Sequence, residues 1–89
     1  MVEQNVMIQN NLGLHLRAGA VFVKVASKFA SHIVIARDGV EVNGKSILGV
    51  MMLAAERGAE ITLRVEGPDE VQALEALVKV VNDKFGEDR

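Results

Sequence analysis

The hydrophobic residues of this chain change their period along its length, and that change limits the folds open to it. VEQNVMI places Val2, Val6 and Ile8 on one face with Gln4 between them, the pattern of a half-buried strand. After the turn-like NNLGL the period lengthens. From Leu16 to about Ala30, Gly19, Phe22, Val23, Ala26, Phe29 and Ala30 share one helical face, while Arg17, Lys24 and Lys28 occupy the other. HIVIAR and VEVN return to β-branched runs, joined by Asp38-Gly39, a dipeptide suited to the positive φ angles of a tight hairpin.

Ser46 stands as an N-cap before ILGVMMLAAE, and Gly58 follows as a stop; Gly49 interrupts the run, so a short helix is expected. Ile61, Leu63 and Val65 form a fourth strand ending at Gly67-Pro68. Asp69 and Gln72 resemble a capping box ahead of a last helix striped by Val71, Leu74, Leu77 or Val78, Val81 and Phe85. GEDR reads as a polar tail. The order β-α-β-β-α-β-α predicts an α+β open-faced sandwich. One four-stranded antiparallel sheet would carry three helices on a single face, within one domain spanning residues 1–89.

Several function classes fall away on composition. With no cysteine, neither a disulfide nor a thiolate metal site nor a cysteine nucleophile is available. The start, MVEQNV, lacks the basic and apolar regions of a secretion signal, and ILGVMMLAA is too short to span a bilayer. A cytoplasmic protein without membrane insertion is expected. A formal charge of −2, no Trp or Tyr and three Phe offer no basic footprint or stacking platform for nucleic acid. The two histidines lack metal-pair spacing, so no metal and no cofactor are expected, and His32 reads as an edge-strand surface residue.

GVEVNGKS, Gly39 to Ser46, matches the spacing of a phosphate-binding loop. A working loop of that kind follows a buried parallel strand and stays glycine-rich, whereas Val-Glu-Val-Asn alternates like a strand after a hairpin. ATP binding is therefore not the reading. A serine at a helix start beside Lys45 can still meet phosphate in another way.

His15 lies between a glycine-containing turn and a helix, where unpaired first-turn N–H groups and the positive end of the helix dipole converge. An imidazole with an unperturbed pKa of about 6.5 presents a neutral, nucleophilic nitrogen there at neutral pH. Arg17 can turn its planar cation toward phosphoryl oxygens. On spacing alone two readings stand side by side: a phosphoryl acceptor, or a capping histidine next to a solvated arginine. Leu16, Ala20, Ile47, Leu48 and Met51 cannot all face the core. With Arg17, Lys24 and Lys45 around them, they suggest a docking face for acidic partners.

Two segments carry a family resemblance. NLGLHLRAGAVFVKVASKF resembles the active-site region of histidine-containing phosphocarrier proteins (HPr) of the bacterial phosphoenolpyruvate:sugar phosphotransferase system, and NGKSILGVMMLAAERGAEI resembles their regulatory serine region. The resemblance implies that His15 takes a phosphoryl group at Nδ1 from phosphorylated Enzyme I and passes it to IIA domains of sugar permeases. Arg17 would stabilise the phosphorylated state, and Ser46 would be phosphorylated by HPr kinase/phosphorylase. It also implies a monomeric carrier that is a substrate of enzymes more than an enzyme. The family's usual His-Ala-Arg-Pro-Ala reads His15-Leu16-Arg17-Ala18-Gly19 in this chain, without the proline preset for a helix start. The alternatives are a regulatory or nitrogen-related branch of the same system and, from another class, a ferredoxin-like module that binds a small molecule.

Overall fold

The computed structural model describes residues 1–89. Strand β1 (Val2–Met7) leads to helix α1 (Leu16–Ala26), then β2 (His32–Arg37), β3 (Val40–Asn43), α2 (Ile47–Met52), β4 (Glu60–Glu66) and α3 (Glu70–Asn82), with a final 3-10 turn at Lys84–Gly86. The sheet order is β1-β4-β2-β3 with every pairing antiparallel, in the registers Val2–Val65, Ile33–Val65 and Arg37–Val40. Asp38 and Gly39 both take positive φ, 51° and 83°, as a two-residue hairpin with primed-turn geometry needs. The architecture is the open-faced sandwich that the changing period implied.

The alternation of each strand sends one set of side chains inward. Val6, Ile33, Ile35, Ile61, Leu63 and Val65 are buried beneath the helices, where they meet Phe22, Ala26, Val50, Leu77 and Val81. At roughly 1.5–3 kcal/mol for each fully buried large aliphatic or aromatic side chain, this layer is the main source of stability. The opposite sheet face carries Arg64 between Glu41, 3.1 Å away, and Glu3, 3.7 Å away, ion pairs too exposed to contribute much.

Four local expectations need correction. Helix α1 ends at Ala26 and not near Ala30: Lys28 and Phe29 donate to Val25 and Ala26 in tightened three-residue turns, and Ala30 is exposed. Helix α2 is short, as Gly49 implied, but it stops at Met52 and not at Gly58. The Asp69–Gln72 capping box does not form, because Asp69 is taken by the chain ahead of β2. Its carboxylate accepts from the Ala30 and Ser31 N–H groups at 2.9 and 3.0 Å and from the Ser31 hydroxyl at 2.5 Å. The Ser31 hydroxyl, with the Ala30 N–H next, holds that carboxyl below the usual range. Val71 is exposed while Ala73 takes the core position, and Phe85 lies in the 3-10 turn beyond α3.

Candidate functional site

Residues 8–14 carry the chain from β1 to α1 and are pinned from outside. Ile8 N–H donates to Ala59 and Leu14 N–H to Ala55, both carbonyls of the segment preceding β4. Gly13 has φ +68°, and a β-carbon there would lie 2.6 Å from the Ala55 oxygen, so the close approach requires glycine. This anchored loop delivers His15 to the N-cap of α1 in an extended conformation. Gly19 N–H closes the first helical bond onto the His15 carbonyl at 2.7 Å, leaving the N–H groups of Leu16, Arg17 and Ala18 ahead of the ladder.

The His15 side chain does not cap its helix. Its Nε2 lies 2.5 Å from Oε2 of Glu87, and the Glu87 Oε1 accepts from Nδ2 of Asn10 at 2.8 Å. Asn10 is fully buried and donates its other amide proton to the Gly13 carbonyl at 2.7 Å. The Asn10 amide first, then His15 and the nearby Arg17, hold the Glu87 carboxyl below the ordinary glutamate range against the opposing effect of burial. Arg17, Leu12, Leu16 and Val21 line the shallow depression beside this group.

Glu87 reaches His15 through a reversal after α3. Lys84, Phe85 and Gly86 have φ of 57°, 56° and 81°, and the turn is closed by bonds from Gly86 N–H to Asp83 and from Glu87 N–H to Lys84. Left-handed backbone costs about 1–2 kcal/mol for each non-glycine residue. Burial of Phe85, which is 4% exposed, offsets much of it by contributing about 2 kcal/mol. The polar tail expected from GEDR is therefore half-buried at Glu87. Sequence spacing could not show this, since 72 residues separate the partners; the only signal was an aromatic residue just before the tail.

At the start of α2, Ser46 caps as expected, its Oγ accepting from Gly49 N–H at 3.1 Å. Helices α1 and α2 pack side by side, with the Met51 methyl lying 2.4 Å from where a Gly19 β-carbon would be. Leu16 and Leu48 are 65% and 76% exposed, and Ala20 and Lys24 are exposed too, on two helices that pack together. Ile47 and Met51 are half-buried against the fold, and Met52, which spacing had not singled out, is 74% exposed. Lys45 is not a free rim charge: its Nζ donates to the Phe29 carbonyl at 2.6 Å. His32 is exposed at the start of β2.

The family model for the PTS HPr component phosphorylation site matches residues 2–83. The chain belongs to the HPr family. It is 48% identical over 88 residues to the phosphocarrier protein HPr of Treponema pallidum (strain Nichols), covering 99% of this chain and all of that one. A crystal structure of HPr from Thermoanaerobacter tengcongensis superposes with a TM-score of 0.96 at 45% identity, covering both chains fully. HPr proteins are carriers in the phosphotransferase system and not catalysts. A crystal structure of the HPr dimer from the same organism superposes at 0.79 with 46% identity, covering 98% of this chain and all of that one. No helix here is long and apolar enough to cross a membrane.

Proposed function

We propose that His15 accepts a phosphoryl group at Nδ1 from phosphorylated Enzyme I and passes it to IIA domains of sugar permeases in the cytoplasm. The observation that carries this reading is the His15 ring itself. It stands at the start of α1 without capping it, bonded only through Nε2, so that Nδ1 and the first-turn N–H groups remain available. Arg17 lies in the same depression and supplies a cation for the phosphoryl oxygens. The exposed Leu16, Ala20 and Leu48, with Lys24 on their margin, form the docking face, and the protein works as a monomer with that face open.

Ser46 is the control site, phosphorylated by HPr kinase/phosphorylase. Its hydroxyl already lies against the Gly49 N–H, so a phosphoryl group of about −1.5 to −2 charges would be tolerated by the helix while repelling an acidic partner next to Leu48. Incubation with Enzyme I and phosphoenolpyruvate should give an acid-labile phosphate that His15→Ala removes. Persistent label on that variant would overturn the assignment. Sedimentation of the free protein checks the monomer.

A further inference from the structure

We propose that Glu87 is a positioning residue whose carboxylate holds His15 as the Nε2–H tautomer and thereby presents Nδ1 as the nucleophile. The inference rests on His15 being the phosphoryl acceptor. Glu87 lies outside residues 2–83, the part matched by the family model.

The hydrogen-bond chain leaves little freedom. Asn10 spends one amide proton on the Gly13 carbonyl and the other on Oε1 of Glu87; turning the amide over would set its oxygen against both acceptors. Oε1 is thus fixed as an acceptor, and Oε2 faces Nε2 at 2.5 Å with the Glu87 side chain only 16% exposed. An ionised carboxylate only accepts, so the proton of this contact sits on Nε2. Neutral imidazole carries one N–H, which leaves Nδ1 bare. Arg17 is the other charge facing the group, and it favours the ionised carboxylate too.

In transfer, the Nδ1 lone pair forms its bond to phosphorus as the donor's bond to phosphorus breaks, and that electron pair stays with the donor. The Nε2 proton remains on the ring. The adjacent carboxylate balances the positive charge that the ring gains as Nδ1 is substituted.

Glu87→Gln tests this directly, because glutamine offers one oxygen and one amide nitrogen. With the oxygen held by Asn10, the nitrogen faces Nε2 as a donor and drives the ring proton to Nδ1, which blocks the nucleophile. Glu87→Ala only releases the ring. Nitrogen-15 NMR of the histidines at about pH 9, where imidazole is neutral, should show Nε2–H for His15 in the unaltered protein, Nδ1–H in Glu87→Gln and a mixture in Glu87→Ala. The rate of phosphoryl acceptance from Enzyme I should fall by about three- to tenfold in Glu87→Ala and on the order of a hundredfold in Glu87→Gln. An unchanged tautomer in Glu87→Gln, or a changed tautomer with undiminished transfer, overturns the proposal. Label retained by His15→Ala would instead overturn the acceptor assignment while the tautomer result stands.

Discussion

The starts of α1 and α2 are built alike and used differently. Each is an N-cap in extended conformation whose carbonyl receives the first helical bond, from Gly19 to His15 at 2.7 Å and from Val50 to Ser46 at 2.9 Å. Ser46 turns its hydroxyl back onto Gly49 and commits it to a helix of only six residues. His15 turns away, held by a carboxylate from the far end of the chain, and leaves the first turn of an eleven-residue helix without a side-chain cap. The longer helix, buried through Ala18, Phe22 and Ala26, can stand without the cap, and the groups left free are those a phosphoryl group needs.

Making α1 start like α2 is the most severe way to break the contrast. With His15 as the proposed acceptor, His15→Ser and His15→Ala should both abolish acid-labile phosphorylation, because no ring nitrogen remains. The two variants should part in stability. Both lose the hydrogen bond to charged Glu87, a loss of about 1.5–3 kcal/mol, but serine restores an N-cap contributing about 1 kcal/mol. Urea denaturation should therefore find His15→Ser more stable than His15→Ala by about that amount. Equal midpoints would mean that α1 gains nothing from capping.

The reverse test acts on Ser46. Ser46→Asp keeps an acceptor for Gly49 N–H and adds a charge beside exposed Leu48, so folding should hold while the KM for Enzyme I rises by about tenfold. An unchanged KM would remove the charge argument for control. Ser46→Ala should do the opposite, leaving transfer near normal while costing about 1 kcal/mol, or a fall of about 4–8 °C in Tm by calorimetry.

The same contrast explains what could be read in the chain. Ser46 and Gly49 are three residues apart, so a local rule found the cap, as the period changes found every strand and helix. His15 was visible as a residue type at a helix start. Its partners were not, because Asn10, Glu87 and the ring meet only after α3 and the left-handed turn at Lys84–Gly86 bring the tail round. Asp69 misled for a similar reason: its spacing suited a local box, but the distant Ser31 and Ala30 donors claimed it. Lys45 has the charge and chain position of a rim residue, yet the Phe29 carbonyl, sixteen residues away, holds its ammonium.

The smallest effect expected is one of acid. Glu87 has a depressed pKa, so its stabilising contact is complete above the ordinary glutamate range and is lost as pH falls through the lowered value. Protonation removes the negative charge that makes the Glu87 carboxylate an acceptor for both Asn10 and Nε2. The Ser46 cap joins a hydroxyl to an amide and has no titratable member. Acidification below about pH 4 should therefore loosen the tail and the start of α1 while the start of α2 keeps its form. Amide hydrogen exchange can follow this as faster exchange at Glu87 than at Gly49, each relative to its value at neutral pH. In Glu87→Ala the difference should vanish, because the group whose protonation releases the tail is gone; its persistence there would show that acid acts on α1 through some other carboxylate.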